Sequence, residues 1–476
     1  MTGNKPLNLY ARLDQVLEEI MARWGIPGLG VGLVEGGEVV YARGFGVQSL
    51  DSGAPFTPDS IICTASITKC FVATAVMQWV ERGRLSLDAP LVTYLPDFRL
   101  DDDRYRSITL RQVLSHTSGM PDMDEAEYDE LVANPETDDQ AAERYIHALA
   151  GRRLIAAPGE RFAYSNIAYN VLGVLLARLS GQSFEASMQA NILRPAGMHD
   201  STLYFPDVPP DRLAPPHLRT PAMAVNPVYP YHRADAPASF LHSTVLDMCR
   251  WASACLEGHA QAGQGLLSPA SYELMWTPAA EWGYPPLYEH IGLGWTLGHF
   301  DGVRTVSHGG MGFGWSSFLT LLPEVHSAAV ILCNEESSAR SRTIRAALHV
   351  LLGKEPVVNS VSWMVPISQA LQAGGVRAAA ARYAEIKDDP DYFFDPDELL
   401  NLAYQVMGVK NTALASEILE LNVSVFPDHI DSLVFLARLC LRSQEKVRAE
   451  AALRQALALD PECAAAAEML AGTGSA

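Results

Sequence analysis

The 476-residue sequence contains no uninterrupted apolar run of about 18 residues, the length that a membrane-spanning helix requires. Its first thirty residues carry charged side chains among the apolar positions, so they do not form the uncharged core of a signal peptide. Basic residues are also few, because 35 Lys and Arg stand against 55 Asp and Glu and give a net charge of −20. We therefore expect neither a membrane nor a nucleic acid as a partner.

Cysteine spacing gives no sign of a disulfide framework or a zinc site. The seven cysteines are odd in number, and no two of them have the C-x-x-C spacing of a zinc ligand pair. We interpret them as reduced thiols in a cytoplasmic protein, and Cys70 as a small buried residue rather than a reactive one. The seven are Cys63, Cys70, Cys249, Cys255, Cys333, Cys440 and Cys463.

The length of the chain predicts two domains, because it exceeds the roughly 250 to 300 residues at which a single core stops growing. With 48% hydrophobic and 19% charged residues, the composition is that of an ordinary globular protein. Strand patterns end near Lys354, and the remainder is rich in Ala and Leu at helical spacing. We predict a first domain over 1–354, a linker over 355–375 and a helical domain over 376–476.

Helix and strand patterns predict an α/β fold for the first domain. Apolar residues follow helical spacing over 9–24, and two β-rich runs, 29–35 and 38–45, flank a Gly-Gly pair typical of a hairpin. Strand patterns return near residue 300, and a helical run over 340–352 follows. The simplest arrangement joins both ends of the domain in one antiparallel sheet flanked by helices, with a helix-rich layer inserted between them. Such a layer leaves a cleft where it meets the sheet. The returning strand patterns cover 303–306, 313–322 and 328–333.

The helical tail repeats itself at about 34 residues, the period of tetratricopeptide repeats. Shifting the tail by this amount aligns Leu402 with Leu436 and Leu470, and Pro427 with Pro461. An irregular Ala-rich bundle is the alternative, but it explains fewer coincidences at one offset. Only two to two and a half repeats fit in the tail, whereas about three are needed for independent stability. We therefore expect the tail to pack against the first domain or against a second copy of the chain. The same shift aligns Ala403 with Ala437 and Ala471, and Ala415 with Ala449.

An S-x-x-K element runs from Ser66 to Lys69 at the start of an apolar, helix-compatible run. Positions i and i+3 share one face of a helix, so the Ser66 hydroxyl and the Lys69 amine are expected side by side. A lysine whose pKa is lowered by burial can accept the serine proton, which makes Ser66 a candidate nucleophile. Ser443 and Lys446 have the same spacing, and we interpret them as a helix connection in the tail.

Tyr164 and Asn166 form the only Tyr-x-Asn pattern of the chain. A phenol near an ammonium group can serve as a base for the serine or as an acid for the leaving group, and an Asn amide can hydrogen-bond an acyl side chain. Taken alone, the pattern is more often a buried tyrosine followed by a turn asparagine. The support that this pattern gives to a catalytic site therefore depends on the other motifs.

A glycine-rich stretch, His308-Gly309-Gly310-Met311, follows a predicted strand. Glycines let a ligand approach the backbone closely, so this strand edge is a candidate source of an N–H group for an oxyanion, beside the N–H of Ser66. His290 belongs to a second H-x-G pattern, which shows that the pattern by itself is common.

In this order, the three motifs resemble the serine β-lactamase-related superfamily, which includes class C β-lactamases, penicillin-binding proteins, D-aminopeptidases and esterases of the same fold. The resemblance covers roughly residues 8 to 353 and implies a β-lactamase/transpeptidase-like fold. It also rests on flanking segments, namely Ile26-Pro27-Gly28, the sequence YARGFG at 41–46, the sequence LSHTSG at 114–119 and Gly292-Leu293-Gly294-Trp295.

The resemblance implies a role for each motif residue at the Ser66 end of the site. Ser66 is the acylated nucleophile, Lys69 is its proton acceptor, and Tyr164 is the second acid–base group. Asn166 takes the polar place beside Tyr164.

The resemblance also assigns the third motif to substrate binding, with two departures from the β-lactamase pattern. His308 stands where β-lactamases carry the lysine of a Lys-Thr-Gly element, and Gly309 stands in place of the threonine. Gly310 lies in the same strand, and Met311 is the implied oxyanion donor together with Ser66. The resemblance implies that His116 belongs to a turn beneath the site rather than to a catalytic triad.

The sequence therefore predicts a serine hydrolase that forms an acyl-enzyme and hydrolyses an ester or amide without a metal or an organic cofactor. Because His308 replaces a permanently charged lysine, we expect an esterase or peptidase that is a poor β-lactamase. Two alternatives remain: an acyltransferase that uses the same residues, and a binding protein whose repeats act on an inactive hydrolase scaffold. The expected partners are a small ester, amide or short peptide substrate, and a second copy or another protein at the repeats.

Overall fold

The computed structural model describes residues 7–123, 127, 133–229, 231–261, 263, 265–358 and 360–473. The chain divides into two compact units. The first comprises Met1–Met21, Ile26–His217 and Val225–Val358, and the second comprises Ala22–Gly25, Leu218–Ala224 and Asn359–Ala476. None of the helices in the described part of the chain combines the length and the apolar character that a membrane span requires.

The strands of the chain differ widely in length, and the longest lie in the first unit. In chain order they are β1 (Gly28–Glu35), β2 (Glu38–Gly46), β3 (Ile62–Cys63), β4 (His217–Arg219), β5 (Met223–Val225), β6 (His242–Ser243), β7 (Ala280–Tyr284), β8 (Tyr288–Ile291), β9 (Thr296–Phe300), β10 (Val303–Gly312), β11 (Trp315–Leu322), β12 (Ser327–Cys333), β13 (Val361–Ser362) and β14 (Tyr392–Phe393).

The helices include ten in the part of the chain before residue 352. These are α1 (Leu7–Trp24), α2 (Thr68–Glu81), α3 (Leu110–Leu114), α4 (Ala141–Ala148), α5 (Asn166–Ser180), α6 (Phe184–Met188), α7 (Ala236–Ser239), α8 (Val245–Ala260), α9 (Pro269–Met275) and α10 (Arg340–Leu351). Those of the tail are α11 (Met364–Ile386), α12 (Pro396–Gly408), α13 (Thr412–Val425), α14 (Ile430–Arg442), α15 (Lys446–Leu459) and α16 (Ala464–Thr473).

An eight-stranded antiparallel sheet forms the centre of the first unit, in the order β2-β1-β12-β11-β10-β9-β8-β7. The amino-terminal hairpin therefore pairs with β12, as the sequence predicts. Gly36 and Gly37 connect its strands with φ values of 59° and 84°, which suit a two-residue turn that needs positive φ at both positions. The helix-rich segment between β2 and β7 is the predicted inserted layer, so the structure has the predicted antiparallel sheet flanked by helices, followed by a helical tail.

Three strands of this sheet, β7 to β9, are not predicted by the sequence patterns. β7 is half-buried to exposed along its whole length, so it lacks the apolar alternation that marks a half-buried strand. A Pro285-Pro286 pair then separates β7 from β8, and because proline argues against a strand, the sequence pattern does not indicate a hairpin here. The predicted strand over 303–306 is also longer in the structure, because β10 continues through the glycine-rich motif to Gly312.

The second unit is built from helices that begin at regular intervals. Pro396, Ile430 and Ala464 open α12, α14 and α16, so each begins 34 residues after the one before, and Thr412 and Lys446 open α13 and α15 at the same interval. Consecutive helices contact one another along this series. Small buried residues lie in four of them: Ala403, Ala415, Ala437 and Ala449.

The range 355–375, predicted as a linker, contains β13 and the first part of α11. Trp363, Ile367 and Leu371 are buried in the core of the second unit, so this segment is not an extended connection. Pro366 lies in the first turn of α11, where its missing N–H costs no helical hydrogen bond. The helix is interrupted at Gly374 and Gly375, immediately before the predicted start of the helical domain.

We predict that Ala449→Leu lowers the free energy of unfolding by about 1 to 3 kcal/mol, because a larger side chain overfills a close helix contact. Ala449 is fully buried in α15. Ala451→Leu is the matched control, since Ala451 is exposed on the same helix and its replacement should change stability by less than about 0.5 kcal/mol. Urea unfolding of both variants measures the difference, and equal stabilities would contradict the close packing.

Candidate active site

Ser66 lies in a tight turn that leads directly into α2. The turn spans Ala65–Ile67, and Ala65 has a φ of 46°, an uncommon value for a residue with a side chain. Thr64, just before the turn, is fixed from two sides: its N–H donates to the carbonyl of Leu241 at 2.7 Å, and its own carbonyl accepts from Ser317 Oγ at 2.7 Å. Backbone N–H groups at such a helix start have no partner within the helix. The turn therefore presents a half-buried Ser66 hydroxyl at the start of α2.

Gly310 allows β10 to approach this turn closely. A Cβ atom at residue 310 would lie 2.2 Å from the carbonyl oxygen of Thr64 and 3.1 Å from the Cβ of Ala65. A side chain there would displace the backbone that holds Ser66. The glycine-rich motif and the S-x-x-K element thus meet at this point, where the inserted layer joins the sheet.

Lys69 is fully buried and lies among three oxygen atoms. Its Nζ is 3.0 Å from Ser66 Oγ, 2.7 Å from Asn166 Oδ1 and 2.8 Å from the carbonyl oxygen of Ala238. A neutral amine has two N–H groups and one lone pair. Asn166 and Ala238 therefore satisfy its two donors, and the lone pair remains for the hydroxyl proton of Ser66.

Burial lowers the pKa of Lys69 to about 7, because an ammonium ion loses its hydration in the interior. Asp122 and Asp235 oppose this shift, since their negative forms favour the charged amine. The two carboxyl groups thus keep the pKa from falling further. Lys69 can therefore be neutral near pH 7, as a proton acceptor must be.

Tyr164 lies on the other side of Ser66 and hydrogen-bonds its side chain. Its ring also faces Lys69, with Nζ 4.9 Å from the ring centroid. Burial raises the pKa of the Tyr164 phenol far above its usual value. The phenol is therefore protonated at neutral pH and is suited to donate a proton rather than to accept one.

His116 packs against Tyr164, and within the described residues it makes no contact with Ser66. Its ring stacks on that of Tyr164 at 4.2 Å between centroids, and its Nδ1 accepts from the N–H of Ser165 at 3.1 Å. Burial lowers the pKa of His116 well below its usual value, so it is uncharged. This position agrees with the turn beneath the site that the resemblance implies.

Asn166 is oriented by a residue that the sequence does not reveal. Its side-chain Nδ2 donates to Asp122 Oδ2 at 2.9 Å, and its backbone N–H donates to Asp122 Oδ1 at 2.9 Å. These bonds turn Oδ1 of Asn166 towards Lys69. Ser165 caps α5 and so places Asn166 in the first position of that helix. Because Asp122 and Asn166 are 44 residues apart and share no motif, no spacing signal points to this pair.

His308 is buried in β10, and its charge is suppressed. Burial lowers the pKa of His308 to about 3, and the neighbouring Lys69 adds to the shift. Its Nδ1 is 2.7 Å from the carbonyl oxygen of Gly309, so Nδ1 carries the proton of the neutral ring. His308 therefore brings no positive charge to the site at neutral pH.

Met311 directs its backbone N–H towards the open edge of β10. β9 pairs with β10 only as far as Ser307, so none of the strands in the described residues lies beside the later part of β10 on that side. The pair Gly312 and Trp315 closes a two-residue turn, and residues that flank such a turn are hydrogen-bonded to each other. Because N–H directions alternate along a strand, the N–H of Met311 points away from β11. It is therefore directed to the edge where an oxyanion would lie.

The remaining sequence candidates lie elsewhere. Ser443 and Lys446 belong to the connection between α14 and α15, which agrees with their interpretation as a helix connection. His290 lies in β8 and pairs with Leu297 of β9. Cys70 is buried, its thiol donates to the carbonyl of Gly294, and burial raises its pKa, which fits a packing role.

One group of potential metal ligands comes together within the described residues, outside this site. It consists of Asp97, Glu143 and His147. Arg178 already forms ion pairs with both carboxylates, at 2.6 Å to Asp97 and 2.6 Å to Glu143. The group is therefore an ion-pair cluster of the surface.

Known proteins share both the sequence and the fold of the first unit. A family model described as Beta-lactamase matches residues 13–354. The esterase EstB of Burkholderia gladioli is 34% identical over 218 residues, which are 44% of this chain and 55% of the esterase. Penicillin-binding protein 4 of Amycolatopsis lactamdurans is 27% identical over 334 residues, 68% of this chain and 85% of that protein. The octameric penicillin-binding protein homologue from Pyrococcus abyssi superposes with a TM-score of 0.64 at 28% identity, over 73% of this chain and 78% of that one.

We predict that Asp122→Asn moves the acid limb of the kcat/KM profile to lower pH. The substitution removes a negative charge that raises the pKa of Lys69, so this pKa falls further. Because Lys69 accepts a proton only when neutral, activity should then persist to lower pH. Profiles between about pH 5 and 9 with an uncharged acetate ester measure the shift. Asp103→Asn is the control, since that carboxylate is 93% exposed, and a limb that stays in place or moves upward in Asp122→Asn would contradict the assignment.

Proposed function

Because this chain belongs to the Beta-lactamase family, we propose that it is a serine hydrolase that forms an acyl-enzyme on Ser66 and hydrolyses an ester or amide. The observation that carries the proposal is the 3.0 Å contact between Ser66 Oγ and a buried Lys69 Nζ whose pKa is about 7. The family and its relatives support a serine hydrolase of the β-lactamase fold.

In the acylation step, neutral Lys69 accepts the proton of Ser66 Oγ as this oxygen bonds to the substrate carbonyl carbon. The N–H groups of Ser66 and Met311 stabilise the negative charge that develops on the carbonyl oxygen. Tyr164 gives its proton to the leaving oxygen or nitrogen as the bond to carbon breaks. The ammonium group of Lys69, which lies 4.9 Å from the centroid of the Tyr164 ring, then returns the proton taken from Ser66 to the Tyr164 phenolate.

In the second step, water attacks the acyl carbon of the Ser66 ester. One proton of the water passes to the Lys69 and Tyr164 pair, and Ser66 Oγ regains a proton as the acyl group leaves as an acid. Asn166 holds Lys69 in place through Oδ1, while Asp122 holds Asn166. Both steps thus use the same two proton-carrying groups.

The substrate class is proposed from the charge of the third motif. Penicillins and terminal D-Ala peptides carry a free carboxylate, which a charged lysine attracts and a neutral histidine does not. The lowered pKa of His308 supports an uncharged site, and the esterase among the relatives supports an ester. We therefore assign uncharged esters or amides as substrates and expect poor β-lactamase activity.

The tail is proposed to be a tetratricopeptide-like domain that follows a first domain over 1–354, with its repeats in the predicted range 376–476 and with residues 363–371 packed in the same core. The 34-residue interval between the helix starts supports the repeat. Two helix pairs and one further helix are fewer than three complete repeats, so self-association or a protein partner is proposed to complete their stacking. The octameric homologue supports self-association. The cytoplasmic location predicted from the sequence stays a prediction.

We predict that Ser66→Ala abolishes ester hydrolysis and leaves the melting temperature nearly unchanged, because the small hydroxyl occupies a half-buried turn. Lys69→Ala and Tyr164→Phe should each lower kcat about a hundredfold or more, as loss of a positioned acid–base group does. Turnover of p-nitrophenyl acetate measures the rates, and a fluorophosphonate probe with mass spectrometry locates the adduct.

Ser443→Ala is the matched control, because it removes the serine of the second S-x-x-K element in the tail. This variant should keep the wild-type rate and label on Ser66. Wild-type turnover by Ser66→Ala, or an adduct on another residue, would refute the acyl-enzyme.

We predict that His308→Lys selectively raises the hydrolysis of carboxylate-bearing substrates, because the ordinary pKa of a lysine is about four units above that of a histidine and therefore favours a positive charge in β10 more strongly against burial. The wild type should prefer a short-chain p-nitrophenyl ester or a D-amino-acid amide to a chromogenic cephalosporin in kcat/KM. The three substrates are compared side by side in the wild type and in the variant.

A cephalosporin preference of tenfold or more in the wild type would refute the argument from His308. Arg340 would then be the next source of charge to test, since its Nη1 donates to the carbonyl of Gly310 at 2.9 Å.

A further inference from the structure

Three aromatic side chains form a continuous surface beside Tyr164, which we name the aromatic wall: Phe162, Trp282 and Tyr288. The rings of Phe162 and Trp282 lie 4.8 Å apart, and those of Trp282 and Tyr288 lie 5.2 Å apart. All three are only partly buried, although aromatic rings of this size usually bury most of their area in a core. The wall therefore offers apolar surface that the fold itself does not use.

The aromatic wall contacts the active site at its central ring and at one end. The central Trp282 ring lies 5.8 Å from the ring of Tyr164. At one end of the wall, the Tyr288 hydroxyl covers Gly309, where a Cβ atom would lie only 2.4 Å from it. The wall thus extends from the proton donor to the strand that carries Met311, and it closes one side of the site.

The position of Tyr164 decides which part of the substrate meets this wall. The proton donor must lie within hydrogen-bond distance of the leaving atom, so the leaving group passes beside the Tyr164 ring. Trp282 and Phe162 lie next to that ring, whereas the oxyanion donors fix the carbonyl group at Ser66. The acyl group is therefore directed away from Trp282.

We propose that the aromatic wall is a leaving-group subsite that selects esters and amides whose alcohol or amine carries a flat aromatic ring. The inference rests on the proposed function, because it takes Tyr164 as the proton donor. In the reaction, the ester C–O bond breaks, the acyl group passes to Ser66 Oγ, and the aromatic alcohol departs with the proton of Tyr164. The ring stacks on Trp282 before and after this step.

The test compares benzyl acetate with propyl acetate, which share an acyl group and a primary alcohol but differ in the aromatic ring. Trp282→Ala should lower the ratio of their kcat/KM values about tenfold, and Trp282→Phe should preserve most of it. Benzyl alcohol should inhibit the wild type competitively, with an inhibition constant that rises about tenfold in Trp282→Ala. Tyr284→Ala is the matched control on the same hairpin, since this ring is 70% exposed, and it should preserve both values.

Three results would contradict the leaving-group subsite. An unchanged ratio in Trp282→Ala, with Ser66 still labelled by a fluorophosphonate, overturns the leaving-group subsite alone. Ethyl phenylacetate and ethyl butyrate share an alcohol but differ in an aromatic ring on the acyl group. If Trp282→Ala changes only the ratio of their kcat/KM values, the leaving-group subsite is overturned as well, because the wall would then face the acyl group. Failure of the wild type to label on Ser66 or to hydrolyse either acetate overturns the proposed function and this inference together. If Trp282→Ala does not fold, Trp282→Leu replaces it, because leucine keeps apolar volume without a ring.

Discussion

The burial of Lys69 is the constraint on which the active site depends. An ammonium ion without water is costly unless oxygen atoms surround it, and a neutral amine in the same place still needs acceptors for its N–H groups. Asn166 Oδ1 and the Ala238 carbonyl meet that need from two different elements. Asp122 and Asp235 add negative charge nearby, which offsets part of the effect of burial. The result is an amine that can hold or release a proton near neutral pH.

This amine is useful only because two distant parts of the chain meet at Ser66. The inserted layer supplies the turn and α2, and the sheet supplies β10 with its open edge. Gly310 makes the contact close, and Ser317 of β11 binds the carbonyl of Thr64 just before the turn. Ser66, the proposed nucleophile, is thus held by contacts with the sheet core. Such a rigid base fixes the distance between Ser66 and the oxyanion donor, which electrostatic catalysis requires.

The sequence predicted those parts of the site that depend on local spacing. Ser66 and Lys69 are three residues apart, so one helical turn brings them together, and the Gly36-Gly37 turn fixes its hairpin in the same local way. Contacts over long separations escaped prediction: Ala238 is 169 residues from Lys69 and contributes a backbone carbonyl, which has no sequence signature. Trp282 was not predicted as a site residue because β7 lacks the alternating apolar residues that indicate a strand. The proposed roles of Tyr164 and His308 came from the family resemblance, because spacing alone does not separate them from structural roles.

In the proposed mechanism, the neutral state of His308 and the lowered pKa of Lys69 both disfavour substrates that carry a carboxylate. A substrate carboxylate bound in this site would place a negative charge near Lys69, and a nearby negative charge raises the pKa of an amine. Lys69 would then be protonated at neutral pH and could not accept the proton of Ser66. A permanent cation at residue 308 would offset that charge, but His308 remains neutral because burial opposes its protonation. Under the proposed mechanism, a carboxylate would therefore be bound weakly and would also keep Lys69 from acting as the base, whereas an uncharged ester would leave the pKa of Lys69 as the fold sets it.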